Sequence, residues 1–339
     1  MDRIPTPTEL KEEFPLTTEL TRIKQERDKL IADVLTGKSD KLLLICGPCS
    51  SESFEPVLDY VTFLAEQQEK YKDRFILIPR IYTAKPRTNS KGYKGISVNP
   101  DIIGKPDLVR GLRQARRLHI EVIKETGLTT ADELLYPFNL PYFDDILSYV
   151  AIGARSVSDQ VHRELPSRLT VPVGMKNPEC GDLSVMMNAI DAAQSSQSIV
   201  YDGHQLDTAG NPLAHVILRG RKDDSGSIPN YKEADIRTVI KLYNERFSHL
   251  LNPAIIVDTS HDNSGKDYRE QPRIAKDAIG LRKKMDIIKG LMIESYLVEG
   301  KQKVSPDGSY VKGQSITDGC LGKQDTAKLF EEIAALLSP

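Results

Sequence analysis

Tryptophan is absent from this 339-residue chain, cysteine occurs four times, and net charge is nearly so, at −2. Each shortage excludes something. Cys46, Cys49, Cys180 and Cys320 are too few to staple a disulfide scaffold, which agrees with a reducing, cytoplasmic setting. Cys46 and Cys49 stand at a C-x-x-C spacing that suits redox chemistry or half a zinc site. No second such pair follows, and this one straddles a strand end rather than opening a helix. With so little net charge there is no global field to attract nucleic acid or an anionic membrane, so any anion binding has to be local. The apolar runs are strand-sized, far below the roughly 20 residues that cross a bilayer, and no opening stretch resembles a signal peptide. Neither G-x-x-x-x-G-K-[ST] nor G-x-G-x-x-G follows a strand, so ATP and NAD chemistry are not supported.

What is present is a rhythm. Short apolar runs recur at Leu42 to Gly47, Phe75 to Pro79, Glu121 to Glu125, Tyr149 to Ala154, Val171 to Met175, His215 to Leu218, Ala254 to Asp258 and Gly290 to Ile293. Helix-length spacers separate them, among them Phe54 to Lys70, Asp107 to Leu118, Asp182 to Ala193, Lys232 to Phe247 and Tyr268 to Met285. Eight strands alternating with helices predict an α/β (β/α)8 TIM barrel over residues 41–339. Residues 1–40, with Pro5, Pro7, Pro15 and a helix-like pattern from Thr17 to Leu35, read as an N-terminal arm for oligomer contacts. The arm is expected on the barrel's outer wall or on a neighbouring subunit, with a frayed tail as the alternative. Around Asp202-Gly203-His204 the pattern predicts a β-hairpin inserted before strand six, and 300–319 reads as a polar loop after strand eight.

At or beyond the run ends stand Cys49, Arg80, Glu133, Arg155, Lys176, Arg219, His261 and Glu294. Reactive residues of a barrel gather at the C-terminal ends of its strands, so one mouth is expected to hold them all. Arg80, Lys85, Arg87, Arg155, Lys176 and Arg219 share that placement. Brought together they repel unless anions occupy the cavity, which points to a ligand carrying two phosphate groups. A Schiff-base role for Lys85 or Lys176 would need an apolar pocket, and the arginine neighbours favour electrostatic binding instead. Cys49, His261, Glu294 and Asp318 combine a thiol, an imidazole and two carboxylates, a donor set suited to a first-row divalent ion.

At these residues the chain resembles the type I 3-deoxy-D-arabino-heptulosonate 7-phosphate (DAHP) synthases. The resemblance rests on Gly47-Pro48-Cys49-Ser50, Lys85-Pro86-Arg87-Thr88, Gly153-Ala154-Arg155, Gln160-Val161-His162-Arg163-Glu164-Leu165, Ile217-Leu218-Arg219-Gly220, Asp258-Thr259-Ser260-His261, Glu294-Ser295-Tyr296-Leu297-Val298-Glu299-Gly300 and Ser315-Ile316-Thr317-Asp318, in order along the chain. It implies condensation of phosphoenolpyruvate with erythrose 4-phosphate, the first step toward chorismate and the aromatic amino acids. Motif by motif it implies Cys49, His261, Glu294 and Asp318 as ligands of one divalent metal, Mn2+ foremost, with Fe2+, Co2+ or Zn2+ as alternatives. Arg80, Lys85, Arg155, Lys176 and Arg219 correspond to phosphoenolpyruvate binders, and Arg87 with Thr88 to the aldose phosphate end. Lys85 is the candidate general acid, and Glu133 or the metal the activator of water, with His261 counted among the catalytic residues. A homodimer or homotetramer and feedback control by an aromatic amino acid, bound between the arm and the hairpin, are further implications.

The chain departs from the family pattern at Ser50-Ser51-Glu52-Ser53, at Tyr93, and at Lys176-Asn177-Pro178-Glu179-Cys180-Gly181-Asp182, where relatives commonly carry a Gly-Thr-Asp-Gly loop. Two other readings compete. The sister condensation on arabinose 5-phosphate is disfavoured by Lys85-Pro86-Arg87-Thr88, and a catalytically silent scaffold is disfavoured by retention of all four metal candidates.

Overall fold

Eight strands pair side by side, all parallel, in the order second, first, eighth, seventh, sixth, fifth, fourth, third. They are Leu42–Gly47, Phe75–Pro79, Thr130–Glu133, Leu147–Ile152, Val173–Lys176, Ala214–Leu218, Ile255–Asp258 and Ile288–Glu294. The two ends of this series meet through a single parallel bridge, Arg80 to Ala131, and the Ile81 N–H donates to the Ala131 carbonyl at 2.8 Å. The result is the expected (β/α)8 TIM barrel. The computed structural model describes residues 3–87 and 92–338. Thr88 lies outside them.

Burial explains why the strands read as apolar runs. Alternate side chains of each strand face either the ring's interior or the surrounding helices, and both sides exclude water. Leu43, Ile45, Ile76, Ile78, Tyr149 and Ile217 belong to the inner cluster. Leu42, Leu44, Leu77 and Val150 belong to the outer one beneath the helices.

The third strand corrects the sequence expectation. Glu121 to Glu125 lies within helix Leu108–Thr126, and the strand is Thr130–Glu133. Val122 and Ile123 are buried together with Ala115 and Leu118, the three- and four-residue spacing of a helix face. Gly127 then closes the helix in the left-handed conformation, φ 68°, its N–H bonded to the Ile123 carbonyl, a conformation that costs glycine little. The strand itself shows almost no apolar residue. Its buried Asp132 is satisfied by the Thr83 N–H at 2.9 Å and the Thr83 hydroxyl at 2.6 Å.

The arm packs on two parts of the barrel. Helix Thr18–Leu35 adds Ile31, Val34 and Leu35 to the interior cluster, beside Leu213 and Ala254 just ahead of the sixth and seventh strands. This half of the helix therefore floors the barrel at the end where strands begin, while Leu10 and Leu20 join the outer cluster beneath the helices. A first helix, Pro7–Glu13, opens with a capping box between Thr6 and Glu9. Lys11 reaches Asp144 at 2.6 Å and Arg113 reaches Glu13 at 2.9 Å, which tie the arm to its own barrel. The inserted hairpin is present as Ser198–Tyr201 paired antiparallel with His204–Asp207. In the polar loop after strand eight, Val298–Lys301 pairs with Gln314–Ser315, and this turns the chain back so that Asp318 returns to the mouth.

Candidate active site

Every described residue expected at the site stands at the end where the strands finish. Arg80, Lys85, Arg87, Glu133, Arg155, Lys176, Arg219, His261 and Asp318 line one cavity of about 490 Å³. Cys49 and Glu294 lie just behind that lining, 0 % and 1 % exposed. The volume is right for small polar substrates.

The charge argument from sequence needs one correction. The cations converge, but they do not face one another bare. Arg80 Nη2 meets Glu294 Oε1 at 3.0 Å, Lys176 Nζ meets Asp258 Oδ2 at 3.0 Å, and Arg155 Nη2 meets Glu179 Oε1 at 2.9 Å. Arg219 pairs with Asp262, and Lys85 Nζ meets Asp318 Oδ2 at 3.3 Å. Internal carboxylates thus relieve the repulsion before any ligand arrives. Glu294, at a strand end of otherwise apolar residues, has Arg80 as its positive partner.

Burial would raise the Glu294 carboxyl, but His261, Arg80 and Lys85 outweigh it and hold it below its ordinary range. Asp258 and Asp318 follow the same logic. Burial opposes their charge, while His261 with Lys176, and Lys85 with His261, lower them well beyond the usual carboxylate value. Burial also works against charge on Lys85, yet Cys49, Asp318 and Glu294 win and its pKa is raised. The Cys49 thiol is pushed up to about 11, first by burial and then by Glu294. A charged lysine and a neutral thiol therefore stand side by side at neutral pH, with Lys85 Nζ 2.8 Å from Cys49 Sγ.

The four metal candidates form two close pairs. Cys49 Sγ is 3.5 Å from Asp318 Oδ2, and His261 Nε2 is 3.8 Å from Glu294 Oε1. As they stand, no three such donors among the described residues are arranged to hold an ion, and the Lys85 ammonium contacts both Cys49 Sγ and Asp318 Oδ2, at 2.8 and 3.3 Å. The chemistry of the set nevertheless fits a divalent cation. Cys49 Sγ stands against Asp318 and His261 Nε2 against Glu294, soft and hard donors of the kinds a first-row divalent ion accepts. His261 Nδ1 lies 2.9 Å from Asp258 Oδ2 without an aligned hydrogen bond, while Nε2 of the same ring faces Glu294. His261 also adopts a left-handed backbone, φ 54°, which is uncommon for residues other than glycine and clusters at functional sites.

Positions around these residues were less visible in the sequence. Gly153 lets the Glu133 carboxylate approach closely, since a side chain there would meet Oε1 at 2.2 Å. A buried amide network sets the loops. Asn177 Oδ1 accepts from the Arg219 N–H and from Asn230 Nδ2, both at 3.0 Å, and Asn263 Nδ2 donates to the carbonyls of Leu218 and Asp258. Asp258 and Asp262 pair with Lys176 and Arg219, and Asp262 itself lines the cavity. Lys222, Lys266 and Glu179 join the cavity wall. An asparagine following a strand-end lysine was a usable signal for the network, whereas Lys222 and Lys266 looked like ordinary surface charges. Cys46 turns away from the mouth to Tyr60, Sγ to Oη 3.4 Å, so the C-x-x-C residues point to different environments and remain unpaired. Arg87 is oriented by the Tyr93 carbonyl, which accepts from its Nε at 2.7 Å.

Comparison with known proteins places this arrangement. The family model described as "DAHP synthetase I family" matches residues 13–331. A Tyr-sensitive phospho-2-dehydro-3-deoxyheptonate aldolase of Salmonella typhimurium is 39 % identical, across 98 % of this chain and 93 % of its own length. A Trp-sensitive counterpart from the same organism is 36 % identical, across 99 % and 95 %. The solved structure of phospho-2-dehydro-3-deoxyheptonate aldolase from Francisella tularensis SCHU S4 superposes with a TM-score of 0.92 at 32 % identity, covering 99 % of this chain and 97 % of the other. On the extent of these matches and the coincidence of fold with cavity, the chain belongs to the DAHP synthetase I family.

Proposed function

We infer that this chain is a 3-deoxy-7-phosphoheptulonate synthase, joining phosphoenolpyruvate to erythrose 4-phosphate with release of inorganic phosphate. The observation that carries the reading is the meeting of six cations at or just beyond strand ends with the Cys49, His261, Glu294 and Asp318 donors around one cavity.

Arg155, Lys176 and Arg219, from three successive strand ends, supply charge-assisted hydrogen bonds for the phosphate and carboxylate of phosphoenolpyruvate. Arg80, held by the Pro48 carbonyl and Glu294, is locked too firmly to swing and serves as a fixed positive wall. Arg87 faces the same space from the loop after strand two and takes the aldose phosphate. Fixing both reactants at van der Waals distance supplies the entropic share of the rate. C3 of phosphoenolpyruvate then attacks the aldehyde carbon. Lys85, kept protonated by its acidic neighbours, orients the aldehyde oxygen and donates the proton that the new alkoxide takes up. Glu133, at the end of strand three, is the candidate acceptor for a proton of the water that adds at C2 before phosphate departs. A divalent ion held by Cys49, His261, Glu294 and Asp318, Mn2+ foremost, supplies Lewis-acid polarisation of the aldehyde when bound.

Effector control is part of the same reading. A second cavity of about 740 Å³ runs between the arm and the hairpin, lined by Pro7, Tyr142, Val161, His162, Val200 and Asp202 among others. The named relatives are sensitive to tyrosine or tryptophan, and this cavity is the proposed place for an aromatic amino acid. Phe138 and Val200, 70 % and 80 % exposed on its rim, are the apolar surface offered to a homodimer or homotetramer. No described helix is long and apolar enough to cross a membrane, and a cytoplasmic enzyme is the setting we propose.

A steady-state assay with phosphoenolpyruvate, erythrose 4-phosphate and Mn2+ tests the activity. Phosphate release that depends on the aldehyde is expected, and its absence rules the function out. Release that survives a strong chelator removes the metal role. A thermal-shift panel with phenylalanine, tyrosine and tryptophan tests the effector, since a ligand of the folded state raises the unfolding temperature.

A further inference from the structure

The ion pairs at the mouth are of two kinds. In Arg80–Glu294, Lys176–Asp258 and Arg219–Asp262 no side chain is more than 6 % exposed. Those carboxylates are buried and fixed, and Lys85–Asp318, 12 % and 48 % exposed, is tied to Cys49 as well. Arg155 and Glu179 are 50 % and 46 % exposed, and both face the cavity.

The turn carrying Glu179 is firmly held. The Gly181 N–H donates to the Pro178 carbonyl at 2.9 Å, and the Lys222 N–H donates to the Glu179 carbonyl at 2.8 Å. Asn177 Nδ2 donates to the carbonyls of Pro178 and Gly220. The backbone thus stations a carboxylate at the mouth, while the side chain is half in solvent and can rotate. A carboxylate matches an arginine fork in the way a substrate phosphate does, so the two compete for the same donors. An exposed pair of this kind is weakly held, which makes the exchange easy but not free of cost.

We propose that Glu179 is an affinity-setting residue, an internal competitor that occupies Arg155 in the resting protein and is displaced when a phosphate-bearing substrate binds. Substrate entry at Arg155 is then an exchange of one anion for another. Weakly bound anions are held below useful occupancy, and the affinity for phosphoenolpyruvate is set lower than the bare arginine would give. This rests on the reading of the cavity as a site for phosphorylated substrates.

The test compares the full-length protein with Glu179→Gln and Glu179→Ala, each in the native background and together with Arg155→Ala. Inorganic phosphate is titrated by calorimetry, and KM and kcat are measured for phosphoenolpyruvate. Removing the competitor should tighten phosphate binding and lower KM by about two- to fivefold, with kcat moving less than KM. The gain should vanish when Arg155 is absent. Weaker phosphate binding in both variants overturns the proposal, since Glu179 would then orient Arg155 rather than compete for it. Unchanged affinity, or a gain that persists without Arg155, overturns it as well. Titration of phosphate needs no turnover, so the outcomes separate. The expected phosphate pattern in a protein that makes no product sinks the assigned reaction alone, and an active enzyme with unaltered phosphate affinity sinks the role of Glu179 alone.

Discussion

Replacing Glu52 with glutamine should remove a large part of the protein's sensitivity to rising pH. Glu52 is 1 % exposed. Its Oε1 accepts from the Tyr296 hydroxyl at 2.9 Å and from Ser53 Oγ at 3.3 Å, while Oε2 has no partner. Burial therefore dominates and pushes its pKa from 4.5 to about 7. The folded protein holds this proton more tightly than the unfolded chain does, so stability is fully present below the unfolded value and is lost as pH rises through the folded one. At 1.36 kcal/mol per pKa unit, the loss amounts to about 3 kcal/mol between about pH 5 and about pH 8. Glu52→Gln keeps the shape and cannot ionise. Urea midpoints of both proteins across this range should converge at the acidic end and separate at the alkaline end, with the variant more stable. If the two profiles run parallel, Glu52 titrates normally and the burial argument is wrong.

Cys49→Ala should cut Mn2+-supported turnover by about 100-fold or more, and undiminished turnover would remove Cys49 from the ligand set. Arg155→Ala should raise the KM for phosphoenolpyruvate by about 10- to 100-fold, the worth of a charged hydrogen bond, with an unaltered KM placing Arg155 outside the substrate's reach. Asp258→Asn leaves the Lys176 ammonium, 4 % exposed, without its counter-charge. It should destabilise the fold by about 3–5 kcal/mol in equilibrium unfolding, and a smaller effect than about 1 kcal/mol would mean that Lys176 finds another partner or loses its proton.

What could be read from sequence follows a physical line. Strands buried on both faces announce themselves, and Leu42–Gly47 or Ile288–Glu294 could hardly be missed. Thr130–Glu133 could be, because it holds its place through backbone pairing and the bonds of Asp132 with Thr83. The charged stretch at Glu121 took its place in the reading since a short apolar core such as Val122-Ile123 does not distinguish helix from strand. Likewise the strand-end cations could be found by position, but their carboxylate partners could not. Asp262 and Glu179 are ordinary acids until the fold sets them beside Arg219 and Arg155. The arm's helix was visible, whereas its role as a floor depends on the ring leaving its base open beneath Leu213 and Ala254.

The ring of strands has one thin joint. Elsewhere neighbours share several paired residues, but between the second and third strands the connection rests on the Arg80–Ala131 bridge and the Ile81 amide. A hooped vessel parts first at its narrowest lap, so local opening should begin there and the Ile81 amide should exchange early for its depth. That lap lies directly under Arg80 and beside Glu133, on two sides of the reaction cavity. Arg80 is at once a link of that joint and a wall of the mouth, so the cohesion of the ring and the shape of the cavity hang on the same few atoms.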